Sequence, residues 1–187
     1  RQCAYCPKGQ SFAHRKKDEQ IFEFVFLPQI QIMLFEASNN QEILIFQMIL
    51  MLVQKFGGGI LSNRADFGRT AAIIRETNAD LVVVSAVKGV TDQLIVLLQQ
   101  AKEQKEFSVQ LTQLKKLHTD LTDEKIKEID AVFTELERLV QGVSYTAEYS
   151  EKLYAYVLSR GEYLSARILQ SYLPDYTFWP AENGIIG

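Results

Sequence analysis

The chain has 187 residues, 47% of them hydrophobic and 23% charged, which suits one domain with a real core. A formal net charge of −3 provides no global basic field, so nucleic acid is not expected as a partner. Cys3 and Cys6 cannot build a disulfide framework, so a reducing, cytoplasmic setting is expected.

Residues 1–50 open on a basic, polar stretch (Arg1, Lys8, Arg15, Lys16, Lys17) and then mix aromatic and amide residues without a sustained period. No fold follows from this extension, and it need not be native to the domain. Its apolar runs are not expected to enter a membrane. Residues 21–35 are interrupted by Glu23, Pro28, Gln29 and Gln31, and 43–53 fall short of the about 20 residues a spanning helix needs. No small-residue cleavage site marks a signal peptide.

The domain proper is expected to be 51–187. Met51 to Phe56 reads as a short strand ended by Gly57, Gly58 and Gly59. Asn63 can cap a helix running to about Glu76, with Phe67, Ala71 and Ile74 on its buried face. The run Leu81-Val82-Val83-Val84 is expected as a covered strand. A helix starting near Thr91 turns Leu94, Leu97 and Ala101 inward. Strand, helix, strand and helix at this spacing make a βαβ unit with parallel strands. Further on, Ile126, Ile129, Phe133, Leu136 and Val140 form an apolar stripe, and Gly142 is expected to stop that helix. Two more helices are expected over about 146–158 and 161–172, the latter with Leu164, Ile168 and Leu169 inward. Thr177-Phe178-Trp179, after the breaker Pro174, suggests a third strand.

Three constellations carry chemistry. Lys55 stands near the carboxyl end of the first strand, where open parallel sheets bind ligands, and the glycines after it let a backbone approach an anion. A tight turn beside a solvated lysine explains the same residues, and no G-x-x-x-x-G-K-[ST] motif is present. In Ser85-Ala86-Val87-Lys88-Gly89-Val90-Thr91-Asp92, two hydroxyls and helix amides can hold a carboxylate, although Thr91 can also be a plain helix cap. In Arg160-Gly161-Glu162, the glutamate sits at an expected helix start, suited either to the helix dipole or to a bound ammonium group.

In this order, Lys55-Phe56-Gly57-Gly58, Ser85-Ala86 with Gly89-Val90-Thr91-Asp92, and Gly161-Glu162 resemble the motifs of the aspartokinase family. The resemblance covers about 51–187. It implies a three-layer αβα amino-acid-kinase fold with a parallel sheet, truncated after its substrate-binding half. Aspartokinases transfer the γ-phosphate of ATP, with magnesium, to the β-carboxylate of L-aspartate, on the way to lysine, threonine and methionine. By the match, Lys55 would stabilise the transferred phosphoryl group. Ser85, Thr91 and Glu162 would hold aspartate, and Gly57 and Gly58 would admit the phosphates. No protein-bound metal ligand is implied in this part of the chain. A cytoplasmic enzyme, homo-oligomeric when full length, is implied, with Met51 as the natural start.

Two departures temper this. The family's Thr-Ser after the glycine pair is Gly59-Ile60 here, which removes hydroxyl donors. The family's nucleotide-binding half, catalytic aspartate and regulatory domains fall beyond Gly187, so little or no activity is expected from this chain alone. The rivals are a kinase for glutamate or acetylglutamate, and a non-catalytic kinase-like chain that binds a partner. Of the remaining features, Cys3 and Cys6 read as free thiols. Lys115, Lys116 and His118 read as a solvated helix face, and Tyr145, Tyr149, Tyr154 and Tyr156 as packing and amphipathic surface.

Overall fold

A computed structural model describes residues 23–26, 52–123 and 125–181. Cys3, Cys6 and Met51 lie outside the described residues. Four strands and five helices follow in chain order among them. These are β1 (Glu23–Phe26), β2 (Val53–Phe56), α1 (Arg64–Thr77), β3 (Leu81–Val84), α2 (Val90–Lys102), α3 (Ser108–Thr119), α4 (Lys127–Thr146), α5 (Glu151–Tyr172) and β4 (Thr177–Trp179).

The sheet has the order β2-β3-β1-β4. Strands β2 and β3 are parallel, with Val53 opposite Leu81 and Phe56 opposite Val84. They are joined through α1, as the βαβ pattern requires. Strand β1, which precedes the expected domain start, runs antiparallel to both β3 and β4. The expected third strand therefore exists and points the same way as β3, with β1 between them. Nothing in the short Glu-Phe-Val-Phe run foretold that placement.

Alternation along the strands sends Phe56, Val82, Val84 and Phe178 to one face, where all join the core. Helix α5 packs on that face, and the ring of its Tyr163 meets Phe178 edge-on at 5.1 Å. Val82, Val84, Leu97, Leu136, Leu164 and Ile168 are fully enclosed, and each such side chain contributes about 1.5–3 kcal/mol of burial free energy. The opposite face carries Val53, Lys55 and Trp179. Trp179 stays 44% exposed and Val53 50% exposed, so no described helix covers them.

Local chemistry explains most helix ends. The Asn63 side chain accepts the Asp66 amide at 3.1 Å, the expected cap of α1. Asn78 closes that helix at φ 51°, a left-handed value that asparagine tolerates. Two glycines, however, do not break helices. Helix α4 continues through Gly142 and ends at Ala147, also left-handed at φ 57°. The two helices expected over 146–158 and 161–172 are the single helix α5, which runs through Gly161. Tertiary packing decides this. A Cβ on Gly161 would lie 3.0 Å from the Ala86 methyl and 3.2 Å from Val90, so the glycine is there for close approach to α2 and the loop before it.

Candidate functional site

The carboxyl ends of β2 and β3 lie side by side, tied by the Ser85 amide donating to the Phe56 carbonyl at 3.1 Å. The turn after β2 and the loop after β3 leave from this edge together. The Lys88 amide donates to the Leu61 carbonyl at 2.9 Å, which closes the two segments into one unit. Within the turn, the Ile60 amide donates back to the Gly57 carbonyl at 3.0 Å. Gly58 is required by space: a Cβ there would sit 2.7 Å from the Ala86 carbonyl oxygen. Gly57 and Gly59 meet no such limit. The start of α1 supports the turn from below, because the nearly buried Asp66 carboxylate accepts the Ser62 amide at 3.1 Å.

Glu162 reaches this junction from α5. Backbone amides, its own and that of Ala86, act on its carboxyl. Burial raises its pKa above the usual carboxylate range, and the two amides partly oppose that rise. The sequence placed Glu162 at a helix start. The structure places it in the middle of α5, so the helix dipole does not explain it. A carboxylate withdrawn from water and held by another segment's backbone is suited to a cationic ligand group.

The other expected residues sort by position. Ser85 is half-buried directly after β3. Thr91 is half-buried in the first turn of α2, and it is not the cap. Gly89 takes that role at φ 79° without a side-chain hydrogen bond, so α2 begins uncapped by any side chain. An uncapped helix start beside Ser85 leaves amide donors and the positive end of the dipole toward the loop. Lys55 projects to the uncovered face of β2, opposite in sense to its neighbour Phe56. Strand pairing brings Gly57, Gly58 and Ser85 to one edge, and the close approach of Gly161 to Ala86 and Val90 brings the segments that carry Glu162 and Thr91 against it, with Lys55 on the other face of β2.

Sequence reasoning counts Ala86 and Gly161 among the motif residues but gives them no part in this arrangement. The signal available was smallness: each stands beside a polar candidate and has little or no side chain of its own. His118 is a correction. It is fully buried on α3, its Nδ1 lies 2.7 Å from the Leu114 carbonyl, and its ring packs against Phe133 at 5.5 Å. Leu111, Leu114 and His118 share one helix face, a spacing that outweighs the neighbouring lysines. Those lysines are at the surface, Lys115 with Asp130 and Lys116 with Asp120, each at 2.7 Å. Tyr149 and Tyr154 stack at 6.1 Å and Tyr156 donates to Glu135 at 2.6 Å, which is packing and surface as expected.

A family model described as the amino acid kinase family matches residues 51–181, well over half of the chain. The chain belongs to the amino acid kinase family. Among curated relatives, the bifunctional aspartokinase/homoserine dehydrogenase of Buchnera aphidicola subsp. Acyrthosiphon pisum is 27% identical over 143 residues, covering 68% of this chain and 18% of that protein. The crystal structure of E. coli aspartokinase III in complex with aspartate and ADP superposes with a TM-score of 0.51 at 23% identity, over 67% of this chain and 29% of that chain. Clostridium acetobutylicum aspartate kinase gives 0.49 at 24% identity, over 66% of this chain and 29% of that chain. This family member therefore spans under a fifth of its curated relative and under a third of those solved chains. The motif resemblance to aspartokinases and the mixed α/β fold with parallel β2 and β3 both stand.

No helix among the described residues is long and apolar enough to cross a membrane. Among the described residues, no three of His, Cys, Asp and Glu converge as a metal-ligand set.

Proposed function

We propose that residues 51–187 carry the acceptor-binding part of an aspartate kinase, preceded by an extension over 1–50. The reaction is transfer of the γ-phosphate of ATP, with Mg2+, to the β-carboxylate of L-aspartate. The observation that carries this reading is the half-buried Glu162 carboxylate, with the Ala86 amide acting on it at the edge where β2 and β3 end. Family membership and the aspartokinase relatives support it.

In this reading Glu162 receives the aspartate ammonium group. Ser85 and the amides at the start of α2, with Thr91, take a carboxylate. Gly57 and Gly58 admit phosphates close to the backbone, and Lys55 offsets charge on the phosphoryl group in flight. Carboxylate attack on phosphorus needs positioning and charge stabilisation more than a general base. Magnesium would supply charge neutralisation on the phosphates, and no residue described here is assigned to hold it. The setting is a cytoplasmic, homo-oligomeric enzyme of amino-acid biosynthesis.

Isothermal titration of the folded 187-residue chain with L-aspartate, L-glutamate and N-acetyl-L-glutamate tests the acceptor. Aspartate should bind best, and Glu162→Gln should weaken it roughly ten- to a hundred-fold. Binding should also fall as pH drops through the raised pKa of Glu162, since only the ionised form attracts the ammonium group. No heat with aspartate from a folded chain would sink the substrate assignment. Aspartate-dependent ADP formation, where present, should drop roughly a hundred-fold in Lys55→Ala.

A second reading has its own support. Ile60 is 53% exposed where the resemblance expects a hydroxyl residue, and such a turn donates fewer bonds to a phosphate. Aspartate binding without any phosphoryl transfer would favour this non-catalytic binding role.

A further inference from the structure

We infer that Ala86 is a positioning residue that couples the glycine turn after β2 to the Glu162 carboxylate. Two segments, the glycine turn and α5, meet on this one small residue. Its carbonyl oxygen faces Gly58, 2.7 Å from where a Cβ would be. Its methyl group faces Gly161 on α5, 3.0 Å from where a Cβ would be. Its amide acts on the carboxyl of Glu162, the residue after Gly161.

The geometry leaves little slack. Ala86 is 4% exposed, and its segment is stitched on both sides by Ser85 to Phe56 and Lys88 to Leu61 at 3.1 and 2.9 Å. The amide that holds Glu162 and the carbonyl pressed by Gly58 share the Ala86 Cα. A shift of the turn that moves the carbonyl therefore re-aims the amide. Gly161 gives the third constraint, because it sets how near α5 can bring Glu162. An anion drawn to the turn and a cation held by Glu162 are thereby felt by one another through a single residue.

The coupling deepens the aspartate kinase reading but is measured without it. In the ligand-free chain, NMR titration should show the Ala86 amide proton following Glu162 ionisation, monitored at its carboxyl carbon. The Gly58 amide should follow with the same midpoint. A Gly58 resonance that stays flat through that midpoint overturns the coupling.

Variants then separate a mechanical link from a field effect. Gly58→Ala and Gly161→Ala should each raise the Glu162 midpoint, because each displaces the Ala86 amide. Adding Ala86→Gly should restore the midpoint in the Gly161→Ala chain, where the clash is with the methyl. It should not restore it in the Gly58→Ala chain, where the clash is with the backbone oxygen. Equal rescue of both, or unmoved midpoints in folded single variants, overturns the proposal. If Gly58→Ala does not fold, the wild-type titration and the Gly161→Ala pair still decide it. With L-aspartate, Gly161→Ala should bind roughly ten-fold more weakly than wild type, with Ala86→Gly recovering it. Failure of wild type to bind aspartate removes the substrate reading and leaves the titration result standing.

Discussion

Glu162 and His118 are both ionisable groups withdrawn from water, yet their surroundings differ in kind. Glu162 keeps partial contact with solvent, and the amide of Ala86 in a distant segment acts on it. His118 is completely enclosed, bonds only within its own helix at Leu114, and has no partner for Nε2 among the described residues. Burial pushes the His118 pKa down to about 4, so the ring is neutral at ordinary pH and behaves as a flat core side chain. A perturbed pKa alone therefore does not mark a site. What distinguishes Glu162 is that the backbone amide of a distant segment, that of Ala86, acts on it at the edge where two parallel strands end.

Changes on the helical flank should alter stability and spare the strand-end junction. The largest effect belongs to Phe133→Ala, which empties the space beside the His118 ring. It should cost about 3–5 kcal/mol by urea unfolding and leave the Glu162 midpoint unmoved. A displaced midpoint would show that the two regions are one.

Next comes the pH dependence of His118. Its folded pKa of about 4 lies below the ordinary histidine value of 6.5, so the fold favours the neutral ring. That contribution is complete above about pH 6.5, declines as pH falls, and is exhausted near pH 4. It amounts to about 3 kcal/mol, the free energy of such a pKa difference. His118→Leu should remove this component from a stability-versus-pH series, whereas Glu162→Gln should leave it in place.

Smaller effects fall at the edges of the two regions. Asn63→Ala removes the cap of α1 beside the glycine turn and should cost about 1 kcal/mol in thermal unfolding. Combined with Phe133→Ala, the two costs should add within about 0.5 kcal/mol if the regions are independent. Lys116→Ala breaks an exposed pair with Asp120 and should change stability by no more than about 0.5 kcal/mol.

Much of the strand-end region can be read from the chain itself. The β-branched run of β3, the Asn63 cap and the inward face of α1 are local signals, and local signals survived folding. Gly161 looks like a helix stop only when its neighbours in space are ignored, whereas Gly142 meets nothing and is simply passed by an apolar stripe that continues to Val143. At Gly161 the neighbour is Ala86, 75 positions earlier in the chain. Glu162 thereby sits in mid-helix and not at the helix start that the sequence suggests. His118 was misread because two charged neighbours drew attention from the apolar spacing it shares with Leu111 and Leu114. Strand β1 carries four residues without context, and its pairing is decided by partners beyond position 80.

The sheet face that no described helix covers has a practical use. The chain contains one tryptophan, and it is Trp179, half in water on that face. Its fluorescence therefore comes from a single place. Emission should be red-shifted and readily quenched by acrylamide in the isolated chain, and any protein or chain segment that settles on this face should shift it to the blue. The molecule carries its own optical gauge for what covers the sheet.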